Sequence, residues 1–129
     1  MSPGERKITI IAGKVLSEAR LLNTPTADAI WNALPFESTC NLWGDEIYFT
    51  IPLRASLEKD AQEIVAPGDL GYWPQGPAFC IFFGHTPISQ GSEIRPASAV
   101  NVFGKIIGDA TIFKKISSNA PVRVEKATP

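Results

Sequence analysis

A single histidine, His85, and two cysteines, Cys40 and Cys80, are all that the 129-residue chain offers of the residues that most often hold zinc or act as nucleophiles. Structural zinc takes four Cys or His ligands, so these three residues cannot build such a site, and no metal site is expected. A Ser-His-Asp or Cys-His arrangement would have to use His85, and no Gly-x-Ser-x-Gly elbow accompanies it. Cys80 and His85 do not form a dyad, because five residues of extended chain separate them by roughly 16 Å. No phosphate-binding loop and no Gly-x-Gly-x-x-Gly follows a strand, so no nucleotide cofactor is called for.

Charge of one sign is also missing. Twelve basic residues face thirteen acidic ones, and Lys114-Lys115 is the one adjacent basic pair of the interior. Binding to a phosphate backbone needs a clustered positive surface, so nucleic acid is not an expected partner. Apolar runs are only a few residues long, far short of a membrane span. The start, MSPGERKITIIAG, has charges before a short strand-like run and lacks a signal-peptide core, which leads us to expect a soluble, cytoplasmic protein. The two cysteines lie forty residues apart in apolar runs. They read as buried free thiols, with a pairing across the fold as the alternative.

What the chain does have is Ile and Phe in excess of Leu, and 21 Gly plus Pro. That is the balance of a strand-and-turn protein. Leu, Ile, Val and Phe together make 35 residues, enough for one domain spanning 1–129 that buries roughly two-thirds of its unfolded surface.

Ile8 and Ile10 share one face of an alternating stretch over 6–12, and Gly13-Lys14 turns it. Val15, Ala19 and Leu21 share a face of the returning strand. One helix is predicted over residues 24–34: Thr24 caps it, Pro25 takes its first position and Pro35 stops it. Ala27, Ile30, Trp31 and Leu34 form its buried stripe. Phe36, Ser38, Cys40 and Leu42 read as one face of a single strand, with a turn at Trp43-Gly44-Asp45. Ile47, Phe49 and Ile51 then line one face, and Glu46, Tyr48 and Thr50 the other. Residues 55–63 read as a charged connection, and Pro67-Gly68-Asp69 as a turn in which Asp69 bonds its own backbone. Strands are expected over 70–73, 78–83, 99–107 and 122–126, the third with a bulge or close approach at Gly104. A short helical turn precedes the last, and Ala127-Thr128-Pro129 is expected to fray. The Gly-, Pro- and Ser-rich stretch 84–98 is long for a compact domain, which suggests a functional or mobile loop. About eight short strands with one helix and no βαβ rhythm predict a mainly β fold, a closed antiparallel barrel.

Four stretches carry a resemblance to a known family: Asn41–Phe49 (NLWGDEIYF), Pro67–Pro74 (PGDLGYWP), Ala78–Gly84 (AFCIFFG) and Val100–Asp109 (VNVFGKIIGD). In order and content they resemble the cyclophilin-like family of small bacterial and archaeal proteins, the group typified by a Thermotoga protein, from about Arg6 to Lys126. The resemblance implies a cyclophilin-like barrel and no particular reaction. Prolyl isomerisation crosses a barrier of about 18–20 kcal/mol and needs a positioned donor such as arginine. True cyclophilins carry Arg with Phe five and Gln eight residues later. Here Arg54 is followed by Lys59 and Gln62, Arg95 by Val100 and Phe103, and Arg20 by Pro25 and Asp28, so none matches.

The remaining candidates are polar and aromatic residues around the turns: Trp43, Glu46, Tyr72, Trp73, His85, Arg95 and Asn101. Meeting at one barrel mouth, they would give aromatic walls with a few fixed polar groups, suited to a small molecule or short peptide. Each has a plainer reading. Trp31 belongs to the core, Trp43 and Trp73 can simply cap the barrel, and a buried Tyr72 hydroxyl needs only a partner. His85 and Arg95 can order their loop, and Glu46 beside Asp45 can be a solvated turn. The alternatives to a binding barrel are an enzyme using Glu46, His85 or Arg95, and a homo-oligomeric interaction module.

Overall fold

A computed structural model describes residues 6–127. The elements run β1 (Lys7–Ala12), β2 (Val15–Leu21), α1 (Pro25–Ala33), β3 (Phe36–Thr39), β4 (Asn41–Leu42), β5 (Glu46–Thr50), β6 (Asp69–Trp73), β7 (Ala78–Phe82), β8 (Asn101–Ile107), a 3₁₀ helix (Ala110–Lys115) and β9 (Pro121–Lys126). All nine strands join one antiparallel sheet in the order β3-β9-β1-β2-β8-β6-β7-β5-β4. Its first and last strands, β3 and β4, are consecutive in the chain and separated only by Cys40. The sheet therefore curls into a nearly closed barrel. Cys40 fastens the seam: its N–H donates to Ala120 O at 2.8 Å, and its carbonyl accepts from Asn119 N–H at 2.8 Å.

Nine strands replace the expected eight because the alternating run 36–42 is two strands with different partners. Phe36 and Cys40 are buried, but Leu42 is exposed beyond the seam. The strand pattern of β1 and β2 appears as read: Ile8, Ile10, Val15, Ala19 and Leu21 all enter the core. In α1, Thr24 Oγ accepts from Ala27 N–H at 3.0 Å, and Pro25 takes the first turn. Ala27 and Ile30 are fully buried. Trp31 is not a core residue but lies half-buried at its edge, with Lys126 Nζ 4.6 Å from the ring centroid, a surface cation–π contact. The bulge falls where expected, between Leu70 and Gly71 of β6 opposite Gly104 and Val102 of β8, leaving Phe103 as the extra residue. Asp69 Oδ2 accepts from Ala66 N–H at 2.8 Å, the turn contact read from Pro-Gly-Asp. Of the three residues expected to fray, Ala127 is held, its N–H donating to Lys7 O at 3.0 Å, and Thr128-Pro129 lie outside the described residues.

Phenyl rings fill the barrel. Phe79 stacks on Phe49 at 4.8 Å between centroids and meets Phe103 edge-on at 5.0 Å and Phe36 at 6.3 Å. Such pairs gain about 0.5–1.5 kcal/mol each beyond their buried area. A second, smaller cluster lies on the opposite face of β5–β7, where Cys80 and Phe82 pack with Val65, Ile94 and Val100. Two long connections, 51–68 and 83–100, cover this outer face and pair with each other through Gln62–Val100 and Val65–Ile94 bridges. Among the described residues, no helix is long and apolar enough to cross a membrane.

Candidate functional site

Side chains alternate along a strand, so β5 sends Ile47 and Phe49 into the barrel, and Glu46 and Tyr48 outward beneath the covering connections. On β7 the register places Cys80 opposite Tyr48 and Phe82 opposite Glu46, so Cys80 is the diagonal neighbour of Glu46 on the same face. Trp73, at the end of β6, points to that face as well. These residues wall a cavity of about 220 Å³, lined by Trp43, Glu46, Tyr48, Trp73 and Cys80 from the sheet side and by Pro96, Ala97 and Val100 from the cover.

Two glycines make this geometry possible. Gly44 holds φ +62° in the turn before β5, and a Cβ there would lie 2.8 Å from His85 O, so the cover approaches the turn only because Gly44 has no side chain. Asp45 N–H donates to that same His85 carbonyl at 2.8 Å. At Gly71 of β6 a Cβ would lie 2.7 Å from Val100 Cγ2, so Val100 can seat against the sheet. The cover itself is ordered by Thr86, whose hydroxyl donates to Arg95 O, and by Ser89 Oγ, which accepts from Thr86 N–H at 2.9 Å and Arg95 N–H at 3.0 Å. The long stretch 84–98 thus has its own internal bonds.

Glu46 is the unusual member of the site. It is 5% exposed, and its Oε1 is buried without a hydrogen-bond partner. Burial pushes its carboxyl up to about 7, with the neighbouring Cys80 thiol acting the other way. The thiol in turn is pushed well up, by burial first and by the neighbouring carboxylate second. The thiol also makes a long contact with Ala78 O, at 4.0 Å. Both cysteines are buried and free, so the cross-barrel pairing does not form, and Cys40 is likewise raised by burial to about 11. Neither thiol is a ready nucleophile.

The seven sequence candidates separate into three groups. Trp43, Glu46 and Trp73 meet in the cavity, with Trp73 Nε1 donating to Ser98 Oγ at 2.7 Å. Glu46 is therefore no solvated turn residue. Tyr72 and Asn101 are buried elsewhere and have full sets of partners. Tyr72 OH donates to Leu53 O at 3.2 Å and accepts from Ala55 N–H at 3.0 Å. Asn101 Nδ2 donates to Thr26 Oγ1 at 3.0 Å and Ser56 O at 2.9 Å, while its Oδ1 accepts from Glu58 N–H at 2.8 Å. Together they pin the 51–62 connection and the start of α1, whose Thr26 N–H also donates to Glu58 Oε2 at 3.0 Å. His85 and Arg95 stay outside the lining. His85 is exposed, and Arg95 forks onto Glu93 through Nε at 2.8 Å and Nη2 at 3.3 Å, which holds the Glu93 carboxyl below its usual range.

Cys80 and Val100 were missed as site residues, and Tyr48, beside the same turn as Trp43 and Glu46, was left out of the seven. Their signal was available, since Tyr48 shares alternation with Glu46, whereas Tyr72 and Trp73, being adjacent on one strand, cannot face the same way. The cavity lies on the outer wall, not at a barrel mouth, because phenyl rings occupy the interior. A wider groove of about 610 Å³ does open beside the β1–β2 turn, lined by Lys14, Leu16, Ile112 and Lys115 among others, but none of the seven candidates reaches it. Among the described residues, no group of three or more His, Cys, Asp or Glu could hold a metal ion.

Comparison with known proteins agrees with this architecture. The family model described as Cyclophilin-like matches residues 6–125. The solution structure of a hypothetical protein from Archaeoglobus fulgidus superposes with TM-score 0.82 at 40% identity, covering 98% of this chain and 100% of that one. The structure of McbB in complex with tryptophan superposes with TM-score 0.71 at 16% identity, covering 95% of this chain but 45% of that one. The second likeness is one of fold. No curated protein matches the chain.

Proposed function

The chain belongs to the cyclophilin-like family, and we propose that it binds a small molecule in the outer-wall cavity between Trp43 and Trp73. The observation that carries this reading is a cavity with three aromatic walls and a buried carboxyl, Glu46, whose Oε1 has no hydrogen-bond partner. Ligand sites combine a mostly apolar lining with a few placed polar atoms in this way. At about 220 Å³ the space is smaller than the roughly 300 Å³ at which drug-sized pockets begin. It suits a compact molecule or one side chain of a short peptide. Prolyl isomerisation is supported less well. Arg54 is exposed and Arg95 is tied to Glu93, and among the described residues no arginine lines the cavity.

McbB was captured with tryptophan, so tryptophan belongs in the first set of probes, although a likeness of fold alone does not assign it. The test is a fragment titration followed by NMR at the indole N–H groups of Trp43 and Trp73. Binding in this cavity shifts both resonances saturably, and Trp43→Ala abolishes the shifts while leaving the fold intact. Silence at both indoles across the whole fragment set, or shifts confined to Ile112 and its neighbours at the β1–β2 groove, would show the reading to be wrong. A peptide cis/trans assay is expected to stay at the uncatalysed rate.

A further inference from the structure

We infer that the occupant of this cavity is a small organic ammonium carrying an N–H, held by its charge and its hydrogen at the Glu46 carboxylate and by its apolar body against Trp43, Tyr48 and Trp73. The inference rests on the binding reading above and adds the chemical class of the ligand.

Three observations point there. Glu46 Oε1 is a buried acceptor with nothing to accept from. A buried polar atom left unpaired costs about 1–3 kcal/mol, more when charged, so native proteins satisfy nearly all of them. Its side chain is part of the cavity lining. The second observation is what else faces it. Across the sheet stands the Cys80 thiol, and along the same strand the Tyr48 phenol. Trp73 comes from β6, and the cover contributes Pro96, Ala97 and Val100, none of which titrates. The charged and titratable groups of the cover lie outside the lining, both His85, Glu93 and Arg95 of the 83–100 connection and Arg54, Glu58, Lys59, Asp60 and Glu63 of the 51–68 connection. Among the described residues, no lysine or arginine lines the cavity to neutralise Glu46. The third is the wall chemistry. Indole and phenol faces carry negative potential and attract cations at about 0.5–2 kcal/mol per contact. An anionic ligand would meet those faces and the carboxylate together, and nothing in the lining would offset the repulsion.

The carboxyl, raised to about 7 by burial, also fixes the sign of the pH dependence. An ammonium binds the ionised form, so its affinity rises with pH through about 7 and binding expels a proton at neutral pH. A neutral ligand that accepts a hydrogen bond from protonated Glu46 would do the reverse.

The probes are benzylammonium, benzyl alcohol and benzoate, titrated into the full-length protein by calorimetry at pH 6, 7 and 8. Benzylammonium is expected to bind at least ten-fold tighter than benzyl alcohol at pH 8. Its affinity should rise about ten-fold from pH 6 to pH 8, with proton release at pH 7, and benzoate should not compete. Glu46→Gln is expected to remove both the preference and the pH dependence while keeping the weak alcohol binding. If benzyl alcohol or benzoate equals or exceeds benzylammonium at pH 8, or if ammonium affinity is flat with pH, the ligand class is wrong while the cavity reading survives. If none of the three moves the Trp43 or Trp73 indole resonances but other fragments do, the inference again fails alone. If no fragment binds there at all, both fall. The pH series on the unmodified protein decides the matter even if Glu46→Gln does not fold.

Discussion

Two buried polar regions sit on the same barrel and differ in one respect. Around Asn101 and Tyr72, every polar atom of the two side chains that could carry structural weight has a partner: Thr26, Ser56 and Glu58 for the amide, Leu53 and Ala55 for the phenol. Around Glu46, a buried oxygen has none, on a side chain that helps to line a cavity. Both regions lie between the sheet and a long connection, so burial alone does not separate them. The complete set of hydrogen bonds marks a structural pin, and on the proposed function the missing one marks the place of a ligand.

This contrast predicts that the two regions respond differently to mutation. The largest effect is expected at Asn101→Ala, which strips two hydrogen bonds from the 51–62 connection and one from Thr26 of α1. It should lower unfolding stability by about 3–4 kcal/mol at every pH, read from urea denaturation. A loss below about 1 kcal/mol would erase the distinction between pin and site.

Next comes Glu46→Gln, whose effect should depend on pH. Below the ordinary glutamate value of 4.5, Glu46 is protonated in both folded and unfolded chains. As pH rises, the unfolded chain ionises first and the wild type loses stability, until the folded carboxyl ionises at about 7. The variant lacks this loss, so its stability relative to wild type should improve by about 3 kcal/mol between pH 4 and pH 8. A difference that stays constant with pH would place Glu46 in an ordinary solvated setting.

Tyr72→Phe should cost about 1–2 kcal/mol, because Leu53 O and Ala55 N–H lose their shared partner. Ligand affinity at the cavity should not change. The smallest effect is expected at Arg95→Ala, whose ion pair with Glu93 is partly exposed. It should alter stability by less than about 0.5 kcal/mol and leave cavity binding intact. Loss of binding would bring Arg95 back into the site.

Much of the barrel could be read from alternation. Ile8 and Ile10, Val15 and Ala19, and Ile47 and Phe49 declare a buried face by spacing alone, and Thr24-Pro25 declares the start of the helix. The seam at Cys40 could not be read that way, because alternation runs from Phe36 to Leu42 without a break while the hydrogen-bond partners change. The site was legible in its residue types and not in its membership. Trp43, Glu46 and Trp73 meet, but Tyr72 and Asn101 are drawn to another face of the wall. Membership depends on strand register and on which long connection lies above each residue. Those are nonlocal facts, since Glu46 meets Cys80, Pro96 and Ala97 only once the sheet has formed and the 83–100 connection has folded back. The outward cavity escaped for a related reason, because a barrel's open end is the intuitive place for a ligand until its rings are counted.

The most direct test of the account is a ¹³C carboxyl titration of Glu46, alone and with saturating benzylammonium. The midpoint is expected near 7 in the free protein, moving clearly lower when the cation is bound. A midpoint near 4.5 in the free protein, or one that benzylammonium leaves in place, would contradict it.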